Sequence, residues 1–137
     1  MISVYSVTMD LHILLVEDEE QISMLYKTVL QKAGYNVEAV GDGALAIEKL
    51  SNPDNKFDLI LLDLMIPKTD GMSVLKMIKK DDRLSRIPVF VMSNLGQDEI
   101  VKEALQIGAS RYLIKAKLMP MDLIELIKQT FTNSMES

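Results

Sequence analysis

Short apolar runs alternate along the chain with stretches whose apolar positions recur every three or four residues. Residues 11–16 (LHILLV) read as a buried strand. Residues 19–33 read as a helix, with Ile22, Leu25, Tyr26 and Val29 on one face and Gly34 as its stop. Glu19 and Glu20 at its start and Lys32 near its end suit the helix dipole. Residues 36–40 form a second strand. Asp42-Gly43 is a turn signal ahead of a short helix at 44–50. Residues 57–62 contain Leu59, Ile60, Leu61 and Leu62, apolar at every position, as a parallel strand covered on both faces requires. The pattern continues with a helix at 70–80 that turns Val74, Leu75 and Ile78 inward, then a strand at 88–92. A helix at 97–107 is closed by Gly108, and a strand follows at 111–114. The last helix, 120–131, has Pro120 at its first position, where a missing N–H leaves no bond unmade.

Five strand–helix units in a row predict an α/β fold, a parallel five-stranded sheet with helices on both faces. Alternation leaves the strand order open. We adopt the flavodoxin-like doubly wound (βα)5 order, 2-1-3-4-5. Residues 1–10 (MISVYSVTMD) read as an N-terminal extension without a secretory signal, residues 11–132 as the domain, and residues 133–137 as a polar tail. The length of 137 residues suits one domain, and no apolar run is long enough to span a membrane. Cysteine is absent, which excludes disulfides and thiolate metal sites and suits the cytoplasm. The net charge of -5 argues against direct nucleic-acid binding and is compatible with a cation site or a basic partner.

In open α/β sheets the site lies beyond the carboxyl ends of the strands. There this chain carries Glu17-Asp18 after the first strand, Asp63 after the third, Ser93-Asn94 after the fourth and Lys115 after the fifth. Three close carboxylates repel one another unless a cation intervenes. Hard oxygen ligands suit Mg2+, which takes one or two carboxylates and keeps several waters. A carboxylate such as Asp63 can attack phosphorus to give an aspartyl phosphate. Lys115 can pair with a carboxylate and then with a phosphoryl oxygen, and Ser93 can donate a hydrogen bond to that oxygen. A lone surface aspartate is mostly a solvated charge; Asp63 differs because it follows a fully apolar strand at the ligand edge.

These residues, in this order, resemble the receiver domains of two-component response regulators from about Leu11 to Phe131. The resemblance rests on residues 13–19 (ILLVEDE), Asp42-Gly43, residues 58–67 (DLILLDLMIP), Asp70-Gly71, residues 87–89 (IPV), Gly108-Ala109 and residues 112–115 (YLIK). It implies Asp63 as phosphoacceptor and Glu17 and Asp18 as the acidic pair at Mg2+, Asp18 the more direct ligand. Asp63 and the carbonyl of Met65 would complete the protein's ligands. It further implies Ser93 as switch hydroxyl, Lys115 as phosphate-pairing lysine, and Tyr112 as the aromatic that moves inward with Ser93 to alter the helix 4, strand 5 and helix 5 face. The implied partners are a histidine kinase or phosphotransfer protein and a downstream protein target, with the chain a monomer or weak homodimer. It would be a phosphoacceptor that assists its own phosphorylation and dephosphorylation, not a conventional enzyme. No DNA-binding or enzymatic segment follows the last helix, so output through protein contacts is expected.

Three positions depart from the family pattern. Ala116 follows Lys115 where proline and a cis peptide are usual, so the loop either keeps a costly cis bond or takes another path. Asn94 stands where a small residue is usual and could contact the phosphoryl group or narrow its pocket. Glu17 replaces the commoner aspartate. Met65 and Leu95, two residues beyond Asp63 and Ser93, are apolar where related receivers flank the path of hydrolytic water, which implies slow self-dephosphorylation. His12 starts the first strand, far from the ligand edge, and reads as structural. Competing readings are weaker. A phosphohydrolase of the haloacid-dehalogenase type needs a second aspartate at position 65, which is Met65. A flavin carrier needs small and hydroxyl residues after the first strand, where Glu17 to Glu20 would repel phosphate. A phosphorylation-independent interaction module remains the alternative.

Overall fold

The computed structural model of the protein describes residues 10–136. The predicted N-terminal extension, apart from Asp10, and the final residue lie outside the described residues. Five strands, β1 (His12–Val16), β2 (Asn36–Val40), β3 (Leu59–Leu62), β4 (Val89–Ser93) and β5 (Arg111–Ile114), form one parallel sheet in the order β2-β1-β3-β4-β5. Five α-helices connect and follow them: α1 (Glu20–Lys32), α2 (Gly43–Ser51), α3 (Gly71–Lys80), α4 (Asp98–Ile107) and α5 (Pro120–Glu136). The order is the one adopted from the sequence.

Successive side chains of a strand point to opposite faces, and the sheet divides the core accordingly. Leu14, Val16, Ile60, Leu62, Val89 and Val91 pack with Ala46 and Leu50 of α2, Val74, Leu75 and Ile78 of α3, and Ala104 of α4. Ile13, Leu15, Leu59, Leu61, Phe90 and Met92 pack with Tyr26 and Leu30 of α1 and Leu123, Ile124 and Ile127 of α5. The result is three layers, with β3 buried at all four positions. Gly34 (φ 99°) and Gly108 (φ 133°) follow α1 and α4 in the left-handed region, where a side chain would be strained.

Two expectations need correction. Leu25 is not part of the inward face of α1; it is 51% exposed, and Tyr26 and Leu30 fill the core. At 100° per residue Leu25 lies about 120° round the helix from the midpoint of that pair. The last helix does not stop at residue 131 but runs through Glu136, across most of the segment read as a polar tail. No glycine or proline follows Pro120, so nothing in that sequence breaks the helix.

Aspartates start the two helices beside the ligand edge. The Asp42 carboxylate accepts the Leu45 N–H at 2.8 Å, and Asp70 accepts the Ser73 N–H at 3.0 Å and the Ser73 hydroxyl at 2.9 Å. The Ser73 N–H, then its hydroxyl, hold the Asp70 carboxyl below the ordinary carboxylate range. A depressed folded pKa contributes stability above the unfolded value, and that contribution is lost as pH falls through the folded one. Asp70→Ala is therefore expected to lower the unfolding free energy by about 1 kcal/mol near neutral pH. The deficit should shrink below pH of about 4. Urea unfolding of both proteins at pH 7 and pH 3 checks this.

Candidate functional site

The sheet ladders deliver the charged residues to one edge. The Glu17 N–H donates to the Val40 carbonyl at 3.1 Å, and the Asp63 N–H donates to the Val16 carbonyl at 3.1 Å. These bonds carry the β1–β2 and β1–β3 ladders one residue further, so Glu17 and Asp63 leave the sheet side by side. Both are buried, at 4% exposure each, while Asp18 is exposed. Ligand oxygens of Glu17, Asp18 and Asp63 lie within 4.8 Å of one another.

Lys115 closes the cluster. Its Nζ donates to Glu17 Oε1 at 2.7 Å and to Asp63 Oδ2 at 2.8 Å, with all three side chains nearly out of solvent. Burial works against the ammonium charge, but Asp63 and Glu17 outweigh it and hold Lys115 above the ordinary lysine range. Burial pushes the Glu17 carboxyl up, opposed chiefly by the Lys115 hydrogen bond. The second oxygens are also engaged: Glu17 Oε2 accepts the Glu19 N–H at 3.0 Å and Asp63 Oδ1 accepts the Met65 N–H at 3.0 Å.

The loop after β3 is shaped by close backbone approach. A Cβ on Gly71 would lie 2.4 Å from the Asp63 carbonyl oxygen and 2.5 Å from Leu64 Cα, and the Gly71 N–H donates to the Leu64 carbonyl at 3.1 Å. A Cβ on Gly43 would lie 1.9 Å from the Thr69 carbonyl oxygen. The Gly43 N–H donates to the Pro67 carbonyl at 3.2 Å, and Lys68 reaches Asp42 at 3.5 Å. Glycine at both positions lets α2 and α3 press on the loop that carries Asp63 and Met65. In the sequence Asp42-Gly43 reads as a turn and as part of the family pattern, neither of which points to this brace.

Ser93 is fully buried, and its Oγ accepts the Leu95 N–H at 3.1 Å. The Tyr112 hydroxyl donates to the Leu95 carbonyl and interacts with Ser93, so this aromatic is turned toward the loop after β4. Burial raises its phenol above the ordinary tyrosine range. Asn94 does not face the acidic cluster with its oxygen: Asn94 Oδ1 accepts the Ala116 N–H at 2.8 Å. Among the described residues no peptide bond is cis, and residues Lys115–Lys117 form a 3-10 turn. The alternative path left open at Ala116 is the one taken, and Lys115 still reaches both carboxylates. His12 lies at the other end of β1, 3.3 Å from Glu38 and against the Phe57 ring at 4.7 Å, as a structural residue would.

The donor set suits a hard divalent cation. Three carboxylates converge, one of them exposed, and no sulfur or imidazole takes part. Lys115 occupies one oxygen of each buried carboxylate, a cation holding apart charges that would otherwise repel.

The profile of the response regulator receiver domain family matches residues 13–128. The chemotaxis protein CheY of Bacillus subtilis is 36% identical over 104 residues, which are 75% of this chain and 83% of that protein. A CheY-like receiver domain protein from Methanospirillum hungatei superposes with a TM-score of 0.84 at 26% identity, covering 93% of this chain and 98% of that one. The Mn2+-bound form of response regulator Rcp1 gives 0.77 at 30% identity, covering 88% and 94%. The chain spans less than half of several longer relatives: 14% of a gliding motility regulatory protein of Myxococcus xanthus and 45% of the transcriptional regulator RpaA of Synechocystis.

Proposed function

Because the chain belongs to the response regulator receiver domain family of two-component signalling, we propose that it accepts a phosphoryl group on Asp63. The donor is a phosphohistidine of a histidine kinase or phosphotransfer protein. The observation that carries this reading is the buried triad of Glu17, Asp63 and Lys115, with Lys115 Nζ 2.7 and 2.8 Å from the two carboxylates. A phosphorylation-independent module would have no use for so costly an arrangement of buried charge.

An Asp63 carboxylate oxygen forms the new bond to phosphorus. The donor's phosphorus–nitrogen bond breaks, and the imidazole keeps the electron pair and takes up a proton. Glu17, Asp18, Asp63 and the Met65 carbonyl are the residues that would hold Mg2+, which when bound neutralises charge on the transferring group. Lys115, fixed between the carboxylates, is placed to exchange one of them for a phosphoryl oxygen. Ser93, two residues beyond the last β3–β4 rung, can donate its hydroxyl to another. Tyr112 bonds to the carbonyl two residues past Ser93, so a shift of that loop is transmitted to β5 and to the α4–β5–α5 face. Output then passes to a downstream protein through that face. Met65, 59% exposed, and Leu95 offer no polar group to guide water to the acyl phosphate, which favours a long-lived phosphoryl group. Among the described residues no helix is long and apolar enough to cross a membrane.

Incubation with acetyl phosphate and Mg2+ tests the chemistry. One phosphorus resonance on the protein that disappears with hydroxylamine is expected, because acyl phosphates are cleaved by it and serine phosphates are not. Its absence under saturating Mg2+, or its persistence in hydroxylamine, would contradict an aspartyl phosphate. The decay of the same signal measures the lifetime.

A further inference from the structure

We propose that Asn94 is a positioning residue for Lys115, acting through the Ala116 N–H; this rests on the phosphoacceptor reading above. The β4–β5 ladder ends with Ser93 opposite Ile114. One residue further on, at Asn94 and Lys115, both strands have ended, and among the described residues no backbone hydrogen bond continues the ladder. The Asn94 side chain supplies the next link, its Oδ1 accepting the Ala116 N–H at 2.8 Å. Ala116 is the second residue of the 3-10 turn Lys115–Lys117. N–H groups at the start of a helical turn have no partner within it, so Asn94 satisfies from another loop a donor that would otherwise need water.

The tie joins the two loops that carry the reactive groups. Asn94 directly follows Ser93, and Ala116 directly follows Lys115, the residue whose Nζ bridges Glu17 and Asp63. Among the described residues β5 is an edge strand that pairs only with β4, so its backbone has sheet bonds on one side alone where Lys115 departs. The link also requires a residue with an N–H at position 116. Alanine provides one and proline would not, so the residues at 94 and 116 depend on each other.

A phosphoryl-transfer group misplaced by a fraction of an ångström loses much of its effect. Lys115 is not among the cation-binding oxygens, and its ammonium competes with a cation for Glu17 and Asp63. Loosening Lys115 therefore slows phosphoryl uptake without weakening cation binding, whereas general damage to the site lowers both.

The test compares wild type with Asn94→Ala and Asn94→Asp in the full chain. Amide hydrogen exchange reports the tie directly. Asn94→Ala should lose protection at Ala116 and keep it at Leu118, whose N–H bonds to Lys115 within the turn. Asn94→Asp, which keeps an accepting oxygen at the same reach, should retain protection at both. With acetyl phosphate and saturating Mg2+, Asn94→Ala should be phosphorylated roughly tenfold more slowly. Calorimetric titration with Mg2+ alone should show affinity equal to or tighter than wild type. An unchanged rate despite lost Ala116 protection would overturn the positioning role, as would a joint fall of rate and Mg2+ affinity. Failure of wild type itself to take up phosphate would overturn the phosphoacceptor reading instead, a result the exchange arm keeps distinct.

Discussion

Asp63→Asn is expected to take up no phosphoryl group from acetyl phosphate and Mg2+ while remaining folded. The substitution keeps the volume of the side chain at a site that is 4% exposed, so no cavity opens. The amide oxygen can still accept the Met65 N–H that Asp63 Oδ1 accepts now. What is lost is the second carboxylate oxygen, 2.8 Å from Lys115 Nζ, and with it the nucleophile. An amide does not attack phosphorus in this way. Lys115 keeps Glu17 at 2.7 Å as its partner, so its charge is not left alone. The stability change should accordingly stay near about 1 kcal/mol, the scale of one hydrogen bond. Thermal unfolding establishes the fold and a hydroxylamine-labile phosphate assay the loss. Uptake by the variant at the wild-type rate would move the acceptor elsewhere.

Removing the ammonium has a different signature. Lys115→Ala leaves Glu17 and Asp63 buried, adjacent and without a cation between them. Breaking a buried pair from one side is costly, and with partial relief by water the loss at neutral pH should be on the order of 3 kcal/mol. In wild type, Lys115 is raised above the ordinary lysine range, so its contribution is complete at neutral pH and is lost only as pH rises past that range. In the variant the two carboxyls repel. The Lys115 hydrogen bond that opposes burial at Glu17 is gone, so Glu17 is pushed further above its ordinary range and the deficit is smallest in acid and grows as pH rises through the carboxylate range. Melting curves at pH 5 and pH 8, with and without Mg2+, check this. The deficit should be larger at pH 8, and added Mg2+ should recover part of it by binding the folded state. Phosphoryl uptake at saturating Mg2+ should fall by about 10²-fold, the scale of losing one preorganised charge at a developing anion. A variant as stable as wild type at pH 8 would contradict the buried triad.

The layout of the fold was readable because hydrophobic spacing reports burial directly. Leu59 to Leu62, apolar without a break, is the strand covered on both faces. Val74, Leu75 and Ile78, spaced for one helical face, are all fully buried. The pattern misled at Leu25, where residue type suggests an inward position and the angle round α1 turns it outward. It also misled at the last helix, where polarity was read as an end although polar residues continue a solvent-facing helix without penalty. At the site, Glu17, Asp18, Asp63, Ser93 and Lys115 were legible because each lies at or within two residues of a strand's carboxyl end, and parallel topology brings those ends together. Contacts between loops left no such trace. The Asn94–Ala116 link joins residues 22 apart, neither with a periodic partner, and the sequence showed only that both depart from a pattern. The brace of Gly43 against Thr69 is steric, and a Cβ that is absent leaves no signal beyond glycine itself.

Locating the phosphoryl group in wild-type protein separates Asp63 from every other acceptor. After reaction with acetyl phosphate and Mg2+, the acyl phosphate is trapped by borohydride reduction and the digested chain is mapped by mass spectrometry. The structure predicts a single modified position, Asp63, that vanishes when Mg2+ is chelated. Modification at Ser93, Glu17 or Asp18 instead, or an unmodified Asp63 in folded protein with saturating Mg2+, would contradict it.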